Sequence, residues 1–223
     1  MKSMKSQQSG FTLVEIAIVL VIIGLLLGGI LKGQELINSA KAKSFAQDFR
    51  TIQTALYGFQ DRYKALPGDF SGTRLTNSII GATTTAVTAT ASNGQIDGNW
   101  DSAVPGEESC LFWQHLRLAG FLAGPTVVDC TAGSDYLQKN ADGGRIGISS
   151  TIQMTTPLPG MTGSFNICSS GISGKLAKQL DTQLDDGNPQ TGSLRVAATG
   201  APSAALALAS VNDGTTYLVC LAF

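Results

Sequence analysis

The stretch Ser9–Gly29, SGFTLVEIAIVLVIIGLLLGG, is apolar almost throughout and carries one carboxylate, Glu15. A charge held among hydrocarbon is costly, so acids in such segments face a partner or reach the headgroups. Two chemistries fit. Glu15 could snorkel to the interface from near the end of the span, or it could pair with a cation inside an apolar assembly.

Two further sets of side chains have types and spacing that could do chemistry. Asp97, Asn99, Asp101 and Glu108 lie in DGNWDSAVPGEE at the first, third, fifth and twelfth places of an EF-hand-like calcium loop. Against that reading, Ser102 stands where the sharp turn needs glycine, Pro105 intrudes, and no entering helix precedes the loop. A solvated acidic turn is the simpler expectation, and DDGNP, Asp185–Pro189, reads as a turn as well. The second set is Cys110, Cys130, Cys168 and Cys220, with His115 the only histidine. That dispersal offers no clustered zinc ligands. Dispersed, even-numbered cysteines fit disulfides in an oxidising compartment, with buried free thiols as the competing reading. Of the three connectivities, Cys110–Cys130 with Cys168–Cys220 is favoured. No nucleophile–base constellation, G-x-S-x-G or phosphate-binding loop appears, so an enzyme has little to be built from. His115 and Trp113 read as packing or surface residues.

These residues must be positioned by the elements around them. From Ile16 to Leu31 there is no charge, and about 20 such residues suffice to cross a bilayer as a helix. Lys2 and Lys5 precede the run, which keeps the N-terminus cytoplasmic and sends the rest outward. The run exceeds a usual signal-peptide core and no A-x-A-like site precedes Lys32, so it reads as a retained anchor. Residues 1–65 hold eight Lys/Arg against four Asp/Glu, and the remainder seven against twelve. The acidic remainder has no electrostatic grip on phosphate backbones, which argues against direct nucleic-acid binding.

Beyond the apolar run, Leu36, Ile37, Phe45, Phe49, Ile52, Leu56, Phe59 and Tyr63 recur at helical steps. The helix should run from Phe11 to Leu66 and end at Pro67. Gly24, Gly28, Gly29 and Gly33 punctuate it, as sites either of close helix approach or of local unwinding. Gly81–Gln95 reads as an exposed loop, and Ser109–Ala119 as a short helix capped by Ser109. Arg145–Met154, Gly163–Cys168, Ser193–Ala198 and Thr215–Phe223 read as strands, with a short helix around Leu176, Leu180 and Leu184. The predicted fold is α+β: a long N-terminal helix packed on a small antiparallel sheet.

The stretch KSQQSGFTLVEIAIVLVIIGLLLGG resembles the N-terminal signal of type IV prepilins and pseudopilins. The resemblance implies cleavage between Gly10 and Phe11 by a prepilin peptidase, followed by methylation of the Phe11 amine. Glu15 then becomes the fifth residue of the mature chain and pairs with the α-amine of a neighbouring subunit. A half-made pair of this kind would be costly in apolar surroundings, which makes Glu15 a docking residue. The implied organisation is a leader (1–10), a transmembrane helix half (11–31), an amphipathic half (32–66) and an α+β head (67–223). YKALPGDF, Tyr63–Phe70, also looks like a stretch of pilin-like proteins. Beyond Pro67 the likeness is mostly architectural.

By that resemblance the protein is a structural subunit of a type IV pilus-like filament. It would be held first in the inner membrane with a periplasmic head, and its partners would be the peptidase, related subunits and the assembly platform. A head of this size with four cysteines favours a minor or atypical pilin. A type II secretion pseudopilin is the nearest alternative; some of these bind calcium in their heads. A membrane-anchored binding or adhesive protein that never polymerises is the second class of reading.

Overall fold

A computed structural model describes residues 12–86, 91–151, 158, 161–199 and 204–223. The apolar residues from Leu13 onward form one helix, α1 (Leu13–Tyr63). Lys64 then enters the left-handed region at φ +53°, and Pro67 follows shortly after. The helix therefore stops three residues earlier than the proline alone predicts, by a left-handed terminator of the usual C-terminal kind.

The chain comprises two compact units, residues up to Ala40 and Lys41–Phe223. In the first, the large apolar side chains of α1 stand uncovered, Leu13 at 91 % exposure and Leu25 at 74 %. This part of the helix is long and apolar enough to cross a membrane. Such exposure is untenable in water and natural in lipid.

In the second unit α1 buries a single stripe: Ala42, Phe45, Ala46, Phe49, Ile52, Ala55, Leu56 and Phe59. Full burial of a side chain such as Phe49 or Phe59 is worth about 1.5–3 kcal/mol. The stripe shares its core with one face of a four-stranded antiparallel sheet, through Ile148, Ile167, Val196 and Val219. The strands are β1 (Ile146–Ser150), β2 (Phe165–Ser173), β3 (Leu194–Ala198) and β4 (Thr216–Ala222), in the order β1-β2-β4-β3. The opposite face is buried too, by Leu158, Met161, Leu218 and Ala222 with Trp100 packed against them. Burial on both faces explains why β4 reads as a continuous apolar run rather than an alternation. The fold is α+β, a long apolar helix with a small antiparallel sheet.

Among the described residues of this unit, three further α-helices are α2 (Gly72–Ser78), α3 (Glu108–Leu118) and α4 (Gly174–Leu184). Two sequence expectations need correction here. The N-cap of α3 is Glu107 rather than Ser109, which lies inside the first turn and is buried. Strand β2 runs past Cys168 to Ser173, through an irregularity between Ser169 and Ile172 where Gly171 takes φ +74°. A bulge of this kind admits an extra residue into the ladder, and glycine accommodates its backbone.

Candidate processing and assembly site

Gly10 and Phe11 lie outside the described residues. The helix start immediately after them is built by Thr12 and Glu15. The backbone N–H of Thr12 and its hydroxyl both donate to Glu15 Oε2 at 2.8 Å, and the Glu15 N–H approaches the Thr12 hydroxyl oxygen at 3.3 Å. Thr-x-x-Glu in this arrangement is a capping box, in which each side chain satisfies a backbone donor that a helix start leaves bare. The carboxylate also lies at the positive end of the helix dipole. Glu15 thus has a helix-starting role that the sequence reading missed, although TLVE displays its spacing.

Farther along, no described atom lies within 4 Å of where a Cβ would stand at Gly24, Gly28, Gly29 or Gly33. These glycines therefore leave a bare groove on the helix of the single chain, which suits approach by another helix. Lys32 and Glu35, three residues apart, form an exposed ion pair at 2.7 Å at the end of the uncharged run.

Residues 5–31 match the family model of the prokaryotic N-terminal methylation motif. The chain carries the prepilin signal of type IV pilins and pseudopilins. Gly10, Phe11, Thr12 and Glu15 all fall inside the matched span. The motif is that of pilin-like structural subunits processed by a prepilin peptidase, not of an enzyme family. No curated protein matches the sequence.

In the head, the three acids of the calcium-like pattern do not gather into one group of ligand oxygens. Asp97 and Glu108 meet, the Asp97 N–H donating to Glu108 Oε2 at 3.0 Å. Asp101 instead lies by Arg145, whose guanidinium donates to the backbone carbonyls of Asp101 and Ser102. Asn99 accepts the N–H of Ser102 on its carbonyl. Burial pushes the Glu108 carboxyl up to about 7, with the neighbouring charges of Asp69 and Asp97 adding to the effect.

The stretch YKALPGDF has a structural role in this chain. Gly68 sits at φ +91°, and a Cβ there would come within 2.3 Å of the Glu108 carbonyl oxygen. Its N–H donates to His115 Nδ1 at 2.9 Å, while His115 Nε2 meets the Thr83 carbonyl at the same distance. The proton on His115 therefore belongs on Nε2, and burial pushes its pKa down to about 4. Next in sequence, Asp69 accepts the N–H groups of Asn93 and Gly94. Leu-Pro-Gly-Asp thus fastens the exit of α1 to α3 and to the loop ahead of Ile96.

The structure joins Cys110 to Cys130 and Cys168 to Cys220, the pairing favoured from the sequence. Cys168 and Cys220 lie directly opposite each other on β2 and β4. Cys110 ties the first turn of α3 to the irregular segment that follows that helix. Arg117 supports the same segment, donating to the Pro125 and Tyr136 carbonyls and lying over the Tyr136 ring. The Tyr136 hydroxyl in turn donates to the Cys110 carbonyl at 2.8 Å. Burial pushes the Tyr136 pKa up to about 12, so it stays a donor at every physiological pH. Nothing in the spacing of Arg117 and Tyr136 signals this partnership.

Proposed function

We propose that this protein is a minor or atypical type IV pilin, a structural subunit that enters a pilus-like filament through its N-terminal helix. Residues 1–10 are the leader, removed by the prepilin peptidase between Gly10 and Phe11, whose new amine is methylated. Residues 11–31 hold the precursor in the inner membrane with its N-terminus cytoplasmic. Residues 32–66 and the 67–223 head face the periplasm until the assembly platform moves the subunit into the filament.

The observation that carries this reading is the position of Glu15 within a matched methylation motif. It ends a capping box at the start of α1, where among the described residues the large apolar side chains from Leu13 to Leu31 stand exposed. The acid that starts the helix comes four residues after Phe11, whose amine cleavage would expose. In a filament the amine of an adjoining subunit supplies the positive partner, and this pairing sets the axial stagger. The head carries more acids than bases, which disfavours an electrostatic grip on nucleic acid and leaves protein subunits and lipid as the proposed partners.

Intact-mass analysis of the protein recovered from cells tests the proposal. A mature chain beginning at methylated Phe11, released with filaments on shearing, supports it. A chain that retains Met1, or one processed at Phe11 that stays with membranes after shearing, overturns the filament reading. The latter result would leave an anchored binding protein.

A further inference from the structure

The end of α4 gathers acids that lie outside the N-terminal motif. Asp181 lies in the last turn of the helix, and Asp185 and Asp186 begin the turn after it. One carboxylate oxygen from each lies within 4.8 Å of the others. Asp181 is fully buried, and neither of its carboxylate oxygens has a hydrogen-bond partner. An ionised carboxylate without partners is among the most costly groups a protein interior can hold.

The surroundings add to that cost. The last turn of α4 has no basic residue, and three acids stand at the negative end of its dipole. Lys178, one turn back, is committed to Asp213 at 3.0 Å. The hydrogen bonds from the Thr191 hydroxyl and the Asn188 N–H hold the Asp186 carboxyl down, with Arg195 adding the smallest part, whereas burial and both neighbouring acids drive Asp181 up to about 7. Asp185 is fixed in place: its Oδ2 accepts the Leu194 N–H at 2.7 Å, and a Cβ at Gly192 would lie 1.9 Å from that oxygen. Asp186 is likewise oriented by Asn188 and Thr191.

We infer that Asp181, Asp185 and Asp186 form a site for a divalent cation that prefers oxygen ligands, with calcium the best match. Calcium–oxygen bonds of about 2.3–2.6 Å put two ligands of one ion no more than about 5 Å apart, the spacing these oxygens already have. A single proton would neutralise one of the three acids, whereas a divalent ion held by one oxygen from each engages them together. Calcium also accepts irregular sets of carboxylate, carbonyl and water oxygens, and magnesium demands a near-regular octahedron. Asp185 and Asp186 open this site to solvent, giving the ion a path inward. Bound calcium would fasten the end of α4 to the turn leading into β3.

The test uses the full chain in detergent micelles, stripped with EDTA at pH 8 and titrated with calcium chloride by calorimetry, with thermal unfolding alongside. The wild type should bind calcium with a measurable heat and a Tm raised by several degrees. Asp181→Asn should bind at least tenfold more weakly. In EDTA it should melt above the wild type, because the substitution removes a buried charge. Asp186→Asn changes an exposed residue, so the fold remains while calcium binding also weakens at least tenfold. A wild type giving neither heat nor a Tm shift at 10 mM calcium overturns the inference. So does calcium binding and stabilisation undiminished in both variants.

Discussion

Removing the two disulfides separately should produce two different kinds of damage. Cys168–Cys220 closes a loop with a sequence separation of 52, and Cys110–Cys130 one with a separation of 20. In the chain-entropy account, cross-links of these lengths stabilise by about 4 and about 3 kcal/mol through the unfolded state. The native surroundings then separate the two. Cys168 and Cys220 are opposed residues of paired strands, so the ladder and both sheet faces still hold β2 against β4 once the sulfurs are gone. The loss of the Cys168→Ala/Cys220→Ala variant should appear as lower global stability, with hydrogen-exchange protection falling evenly across the sheet. Cys130 lies in a segment without regular structure, tied to α3 by its disulfide, by Arg117 at Pro125 and by Gln114 at Thr126. Cys110→Ala/Cys130→Ala should therefore open residues 121–135 locally, seen as proteolysis and fast exchange there, while the sheet keeps its protection. Urea unfolding of the full chain in detergent gives the global loss, and exchange mass spectrometry gives its location. If the Cys168 pair can be removed without a change in midpoint, or if both variants lose protection in the same places, the reasoning is wrong.

Glu15→Ala should still be cut and methylated but should leave few subunits in sheared filaments; incorporation at wild-type levels would remove Glu15 from the assembly step. His115 is buried in its neutral form, with its pKa lowered from 6.5 to about 4. The stability it contributes is fully present above about pH 6.5 and is lost as pH falls through 4, amounting to roughly 3 kcal/mol. Compared with His115→Gln, the wild type should lose about that much more stability between pH 7 and pH 4 in urea titrations, and a pH-independent gap would contradict the assignment. Gly68→Ala combines an unfavourable φ with a clash against the Glu108 carbonyl. It should cost on the order of 1–3 kcal/mol from backbone strain alone, measured by thermal unfolding, whereas Gly72→Ala, at φ +68° with open space around it, should cost less.

The parts of this molecule legible in the sequence are those where local pattern and final environment agree. Phe45, Phe49, Ile52, Leu56 and Phe59 recur at helical spacing because one side of α1 meets the core, and the pattern is that meeting written in advance. The four strands were readable because β-branched and aromatic residues concentrate there, although burial on both faces hid which residue looks which way. Helix α2 was not readable, since only Leu75 among its residues is buried and no periodicity can show in about two turns. The capping box was missed for a different reason. Glu15 is explained so well by its place in the methylation motif that Thr12 passed as one polar letter in an apolar run, yet the two residues share one carboxylate oxygen. The same happened at Asp185–Pro189, where a turn is the right local structure. What the turn composition cannot reveal is the side chain one helical turn earlier. Only the closure of α4 against the sheet buries Asp181 and sets it beside Asp185 and Asp186. Motifs made of neighbours in sequence, such as Gly10 to Glu15, can be read before folding. Sites whose character comes from burial exist only after it.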